Sequence, residues 1–266
     1  KLRSILVKWN LWDECQEELS QGFLFEEEGR PDAITHSILE ENQAWTINRY
    51  LPLLLEGTFV TIQLTLCSFA LALVLGLPLS LARLYGTPWL KNLALLYVEF
   101  FRGIPVLLLL FFLYFGLPAI AESSGLNISL ALSPFLAATL GLGLNYAAYE
   151  AENFRASIQS VPQGQWEAAA SLGMGKTLTF RRIILPQAMR IALPTTTNDL
   201  VALFKDTSIA SVVALVELNK QYQILAKSSL KFVELGLITA LLYLALSVPL
   251  GRLARALEKK LAPERR

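Results

Sequence analysis

The chain has 266 residues, 54% of them apolar and only 17% charged, with a mean hydropathy of +0.46. A soluble domain carries about 25% charge, so this composition excludes a disordered chain, a basic nucleic-acid binder and an ordinary cytosolic enzyme. The net charge of +1 averages two unlike regions: residues 1–49 hold 5 Lys/Arg against 10 Asp/Glu, and the remainder holds 18 against 12. One histidine, His36, stands in a polar stretch and reads as a surface residue, leaving almost no material for imidazole catalysis or a metal cluster. Cys15 lies in the acidic head and Cys67 in an apolar run, so no disulfide is expected, and there is no zinc-type spacing. No catalytic or metal residue is therefore assigned. The chain begins at Lys1 without an apolar signal core in residues 1–20, which reads as a processed or truncated start.

In chain order, residues 1–49 form an acidic segment whose structure stays open. It reads equally as a folded cap, as a surface helix with Ile5, Leu6, Trp9 and Trp12 on one side, or as a disordered stretch. Gly57–Ala82 has no charge over 26 residues. A bilayer core needs about 20 apolar residues, so this is a first membrane span. Gly103–Ala121 is a second uncharged run. Pro134–Tyr149 is a third, rich in the small residues that let helices approach closely in lipid. Ala188–Val216 is apolar but interrupted by Arg190, Pro194, the three threonines 195–197, Asn198, Asp199 and Lys205-Asp206. It reads as a fourth span packed inside the bundle, with a re-entrant or broken segment as the alternative. Leu235–Gly251 is the fifth. If the 83–91 turn, the 152–182 loop and the C-terminal tail share one side, that side and the span ends abutting it hold 14 Lys/Arg, Arg102 included, against four opposite. The positive-inside rule makes that side cytoplasmic. The acidic head is then outside and the basic tail 257–266 inside. The fold class is all-α integral membrane.

The loop between the third and fourth spans is the least apolar internal stretch. Pro162 near a helix start and Gly173 just past its end fit the Pro-first, Gly-last pattern of a short helix. Glu167 is placed near the positive amino end, and Ala168, Ala169 and Ala170 form helix readily with little bulk. Such a helix suits another protein's groove, or equally a tight turn on its own bundle. Glu167-Ala168-Ala169, then Gly173, then Ile183 and Leu185-Pro186 resemble the "EAA" signature of bacterial ATP-binding-cassette importer permeases. Tyr149-x-x-Glu152-x-x-Arg155, Val161-Pro162-x-Gly164-Gln165, Glu99-Phe-Phe-Arg102-Gly103-x-Pro105 and Lys205-Asp206-Thr207-Ser208 are similar to the polar amino-acid branch of that family (histidine, glutamine, glutamate or arginine type).

The resemblance covers roughly residues 50–256. It implies a five-span importer-type permease bundle with a cytoplasmic coupling helix in the loop at about 152–186, in the bacterial inner membrane. It further implies a second permease subunit, identical or homologous, an extracytoplasmic amino-acid-binding protein, and cytoplasmic ATPase subunits that hold the ATP and magnesium. This chain would bind no cofactor. In that family's terms Glu167 orients the ATPase groove, Ala168 and Ala169 permit close approach, Gly173 ends the helix, and Ile183, Leu185 and Pro186 lead into the next span. Gly175-Lys176-Thr177 mimics the end of a phosphate-binding loop, but position 170 is Ala where that pattern needs Gly.

For a substrate path, intramembrane polar groups are the default candidates: Asp199 first, with Asn198, Asn145, Tyr146 and Gln63. A backbone cap or a pair with Arg190 is the structural alternative for Asp199. Lys205-Asp206 reads as a self-neutralising pair near the outer surface, and Glu56 and Glu217 as interface charges. The competing function is a secondary carrier or channel without an ATPase. Such carriers often show a doubled architecture, and no internal repeat is visible here.

Overall fold

The computed structural model describes residues 47–123 and 131–261. Cys15, His36, the acidic head up to residue 46, and Arg265 and Arg266 lie outside the described residues. The described residues are helical, without strands. Three helices are long and apolar enough to cross a membrane: Ile47–Tyr85, Val106–Ser123 and Phe232–Ala256.

Helix α1 is Ile47–Tyr85, 39 residues with Pro52 and Pro78 inside. Two of its buried hydroxyls are satisfied within the helix: Thr58 donates to the Leu54 carbonyl and Thr65 to that of Thr61, both at 2.8 Å. Helix α2, Pro88–Gly103, follows after Gly86-Thr87. Next come α3 (Val106–Phe111), a π-turn (Phe112–Gly116) and α4 (Leu117–Ser123). Helix α5, Pro134–Gln159, starts with the Ser133 hydroxyl accepting from the Leu136 N–H and with Pro134 in its first turn, the arrangement that satisfies an orphan donor where proline costs nothing. The loop carries α6 (Gln163–Ser171) and α7 (Lys176–Thr179). A second π-turn, Phe180–Ile184, leads into α8, Leu185–Asp206. A 3₁₀ segment, Thr207–Val213, and a left-handed Ala214 (φ 59°) separate α8 from α9, Leu218–Ser229. Helix α10 is Phe232–Leu261.

The second apolar run, expected at Gly103–Ala121, falls on α3 to α4, where Val106–Ser123 is long and apolar enough to cross a membrane. Helix α2 precedes it, and Tyr97 donates to the Leu144 carbonyl at 2.9 Å while Leu110 packs where a Gly141 side chain would lie. The chain thus climbs antiparallel to α5 from Pro88 to Ser123, interrupted at Ile104-Pro105, where Ile104 is extended as residues before proline prefer. Lys91, Glu99 and Arg102 broke the apolar pattern and hid α2; all three are exposed. Arg102 stands in the last turn of α2. The Ala188–Val216 run is not one helix but breaks after Asp206, as the broken-segment alternative has it.

Helices α1 and α5 run parallel and make the closest packing. A side chain at Gly143 would meet Leu71, and one at Gly76 would lie 2.8 Å from Glu150 Cβ and 3.2 Å from the Ala151 nitrogen. Gly57 touches the Leu218 backbone in the same way and seats α9 on α1. Glu217 is not an interface charge. It is fully buried, its oxygens accept from the Asn219 and Lys220 N–H groups at 2.8 and 2.7 Å, and Tyr243 donates to it at 3.2 Å. It is the N-cap of α9, placed where the helix's first N–H groups would otherwise be buried without partners.

Gly76→Ala is expected to cost about 1–3 kcal/mol by overpacking, because backbone and Cβ atoms cannot rotate away. Gly164→Ala, with open space around it, is the control. Thermal unfolding of the purified protein reads the difference, and equal melting temperatures would refute the close approach.

Candidate functional site

Halfway along α5, Asn145, Tyr146 and Tyr149 face a cavity of about 570 Å³. Its other walls are Arg102 and the Gly103-Ile104-Pro105 break on one side, and Asp199, Ala202 and Asp206 of α8 on the other. The break is what lets a polar cavity form here. Asn145 Nδ2 donates to the Phe101 carbonyl at 2.6 Å, tying α5 to the end of α2. Tyr146 donates its hydroxyl to Asp206 Oδ2 at 2.8 Å. The Arg102 guanidinium lies 5.3 Å from the Tyr149 ring centre, a cation–π placement. Two carboxylates and one guanidinium thus line one space, chemistry that suits a small polar solute with a cationic group.

Of the residues expected on a substrate path, the structure brings Asn145, Tyr146 and Asp199 together. Asn198 is exposed on α8 and Gln63 is exposed on α1, and neither lines this cavity. Lys205 and Asp206 do not neutralise each other: Asp206 is held by Tyr146, while Lys205 faces a different cavity. Successive helical residues diverge by about 100°, which separates them. Sequence reading also missed Glu150, which is fully buried. Thr196 and Asn153 donate to its Oε2 at 2.9 and 3.3 Å. Its position four residues after Tyr146, on the same helical face, was the available signal, masked because Glu150 stands just past the uncharged run. Below it, Glu152 pairs with Arg83 of α1 and with Arg155 on its own helix.

The loop residues of the sequence motif lie together on and after α6. Gln163 opens the helix and Pro162 precedes it. Glu167 is therefore its fifth residue, beyond the first turn where the helix dipole acts, which corrects the placement near the amino end. Glu167, Ala168 and Gly173 are exposed, whereas Ala169 is buried against the bundle. The helix ends in a Schellman motif. The Met174 N–H bonds the Ala169 carbonyl and the Gly173 N–H bonds that of Ala170, at 3.0 and 2.9 Å, with Gly173 at φ 75°. Trp166 stacks on Phe180 with ring centres 6.5 Å apart, and Tyr85 of α1 meets Phe180 edge-on at 5.5 Å. Ile183 sits in the π-turn, and Leu185 and Pro186 open α8.

Residues 70–263 match a protein family described as the binding-protein-dependent transport system inner membrane component. The chain belongs to that family. Relatives include the probable amino-acid ABC transporter permease PatM of Vibrio harveyi, 39% identical over 79% of this chain and 92% of its own length. The L-cystine transport system permease TcyL of Bacillus subtilis is 36% identical over 81% and 87%. A crystal structure of an amino acid ABC transporter with histidines aligns with TM-score 0.73 and 30% identity, covering 80% of this chain and 96% of that one. The MetNI methionine ABC transporter shares the fold at TM-score 0.59 and 22% identity. The chain is thus the permease subunit of an ATP-driven importer, an inner-membrane protein of a system that depends on a binding protein.

For this permease, the Tyr146–Asp206 bond should register in a double-mutant cycle. Tyr146→Phe and Asp206→Asn are expected to be non-additive in thermal stability by about 1.5–3 kcal/mol, the range for a hydrogen bond to a charged group. Additive effects would show that the bond is not formed.

Proposed function

We propose that the permease forms the path of a polar amino acid through the inner membrane. It crosses five times: α1, then α2 to α4, α5, α8 with α9, and α10. Its N-terminal side lies outside and its C-terminal end in the cytoplasm. A second permease subunit, identical or homologous, completes the path, and an extracytoplasmic binding protein delivers the amino acid. Helix α6 docks on a cytoplasmic ATPase subunit, which holds ATP and magnesium. Glu167, Ala168 and Gly173 are presented to that subunit, while Ala169, Ile183, Leu185 and Pro186 join the helix to α8. The observation that carries this reading is that α8 connects the two sites, since its amino end follows the exposed helix and its far end holds Asp199 and Asp206 in the charged cavity. The amino-acid names of the relatives and of the structural neighbour support the substrate class.

In proteoliposomes with ATPase and binding protein, uptake of radiolabelled amino acids should require both partners. Uptake without an ATPase would support the secondary-carrier alternative instead. Asp199→Asn is expected to lower the uptake rate about tenfold or more, by loss of a charge-assisted contact. A wild-type rate would remove Asp199 from the path. Gly173→Val forces a β-branched residue into left-handed backbone at about 1–2 kcal/mol with no steric contact to add to it. It should leave membrane insertion intact while ATP hydrolysis proceeds without uptake, and unchanged coupling would dismiss the docking role.

A further inference from the structure

Glu150 stands one turn of α5 past Tyr146 and is fully buried, outside the walls of the charged cavity. Gly76 of α1 leaves the space for it. Its Oε2 accepts from Thr196 and Asn153 at 2.9 and 3.3 Å, while its Oε1 meets no hydrogen-bond donor among the described residues. Asp199 follows Thr196 by one turn on the same face of α8. It stands within hydrogen-bonding reach of the Glu150 side chain, and it lines the cavity. A sealed carboxyl thus backs the acid that a solute would meet.

An ionised pair here would have acceptors in contact and no donor between them. Among the described residues neither carboxyl has a cation: Arg83 and Arg155 are both engaged by Glu152, and Arg102 lies over Tyr149. The other neighbours supply no donor to the contact. Tyr146 gives its proton to Asp206, Thr196 and Asn153 already donate to Oε2, and α1 presents only a glycine. Asp206 adds negative charge to the same cavity. Two carboxyls that share a site without a cation hold one proton between them, because repulsion and lost hydration both oppose the second charge. That proton belongs to Glu150, since Asp199 reaches the cavity and Glu150 does not. As an acid, Glu150 has the donor that the contact otherwise lacks.

We propose that Glu150 is a positioning residue for Asp199: its carboxyl keeps its proton, donates a hydrogen bond to Asp199, and turns that carboxylate toward the cationic group of the solute. The pair then presents one negative charge and not two. The inference rests on the reading of Asp199 as a path residue in the preceding section. Glu150 itself touches no solute and acts through Asp199.

Glu150→Gln keeps a donor and an acceptor in nearly the same volume, whereas Glu150→Leu keeps only the volume. In proteoliposomes with ATPase and binding protein, radiolabelled L-arginine, L-glutamine and L-cystine are assayed. Whichever the wild type takes up, Glu150→Gln should take up at the same rate. Glu150→Leu should lower that rate about tenfold, the size of a lost hydrogen bond to a charged group. In an Asp199→Asn background Glu150→Leu should cost nothing further, because the carboxylate it positions is gone. Size-exclusion profiles and melting temperatures show that each variant is assembled. Solid-state carbon-13 NMR of the permease labelled at its glutamate carboxyls reads the proton without transport. The signal that disappears in Glu150→Gln should have the chemical shift of a neutral acid at neutral pH. If Glu150→Leu does not assemble, that signal and the uptake by Glu150→Gln decide the matter. The inference is overturned by an ionised shift for that signal, or by Glu150→Gln uptake as low as that of Asp199→Asn. It is also overturned by an equal loss from Glu150→Leu in both backgrounds, which would make Glu150 structural only. The path reading fails separately, when Asp199→Asn transports at the wild-type rate.

Discussion

The bundle depends on how closely α1 can approach α5. A Cβ at Gly76 would sit 2.8 Å from that of Glu150, so the side chain missing from α1 is the space in which a buried carboxyl stands. In lipid, where tails are as apolar as leucine, helix association rests on such close packing and on interhelical hydrogen bonds more than on a hydrophobic drive. Glu150 supplies the second contribution by accepting from Thr196 across the interface with α8. One glycine therefore sets the distance between two helices, and the carboxyl it admits anchors a third. The lining residues Tyr146, Tyr149 and Asp199 inherit their spacing from that contact, since they lie within a turn or so of Glu150 or Thr196.

Polar groups away from the charged cavity follow the same logic of satisfaction. Glu217 is buried completely yet accepts from two helix N–H groups and a tyrosine. It holds the start of α9 where the chain restarts after the 3₁₀ segment. The Thr61 hydroxyl accepts from the Leu218 N–H at 3.1 Å and fixes that restart to α1. A break in the middle of a membrane helix is tolerated only where the freed backbone finds partners or lines a cavity. Here one side of the break has the partners and the other has the cavities.

Much of this was legible from residue order. The long uncharged run of α1 and the proline-to-glycine limits of α6 follow from local chemistry, because each is a property of neighbours in sequence. What escaped is of two kinds. Helix α2 was missed because Lys91, Glu99 and Arg102 occupy an exposed face, and a hydropathy window averages the faces of a helix. Glu150 and the separation of Lys205 from Asp206 were missed because they depend on which helix lies opposite. Gly76 and Glu150 are 74 positions apart, and nothing in either neighbourhood announces the other.

The geometry also constrains how motion at the loop can reach the cavity. From Lys176 to Asp206 the chain is helical throughout, with only a π-turn at Phe180–Ile184, about 45 Å at the usual rise. Phe180, the first residue of that turn, is gripped by Trp166 of α6 and Tyr85 of α1. A displacement of α6 therefore bears at once on the amino end of α8 and the end of α1. That stretch has two soft places: the π-turn, whose hydrogen bonds are already out of α register, and Pro194, which lacks an N–H for the helix ladder. If both hold, α8 moves as a rod and carries Asp199 and Asp206 past Tyr146 and Tyr149. If the π-turn yields, only the loop moves. The aromatic clasp favours the first course, because it braces the turn from two sides and leaves Asp206, where the helix ends, as the far end of the lever.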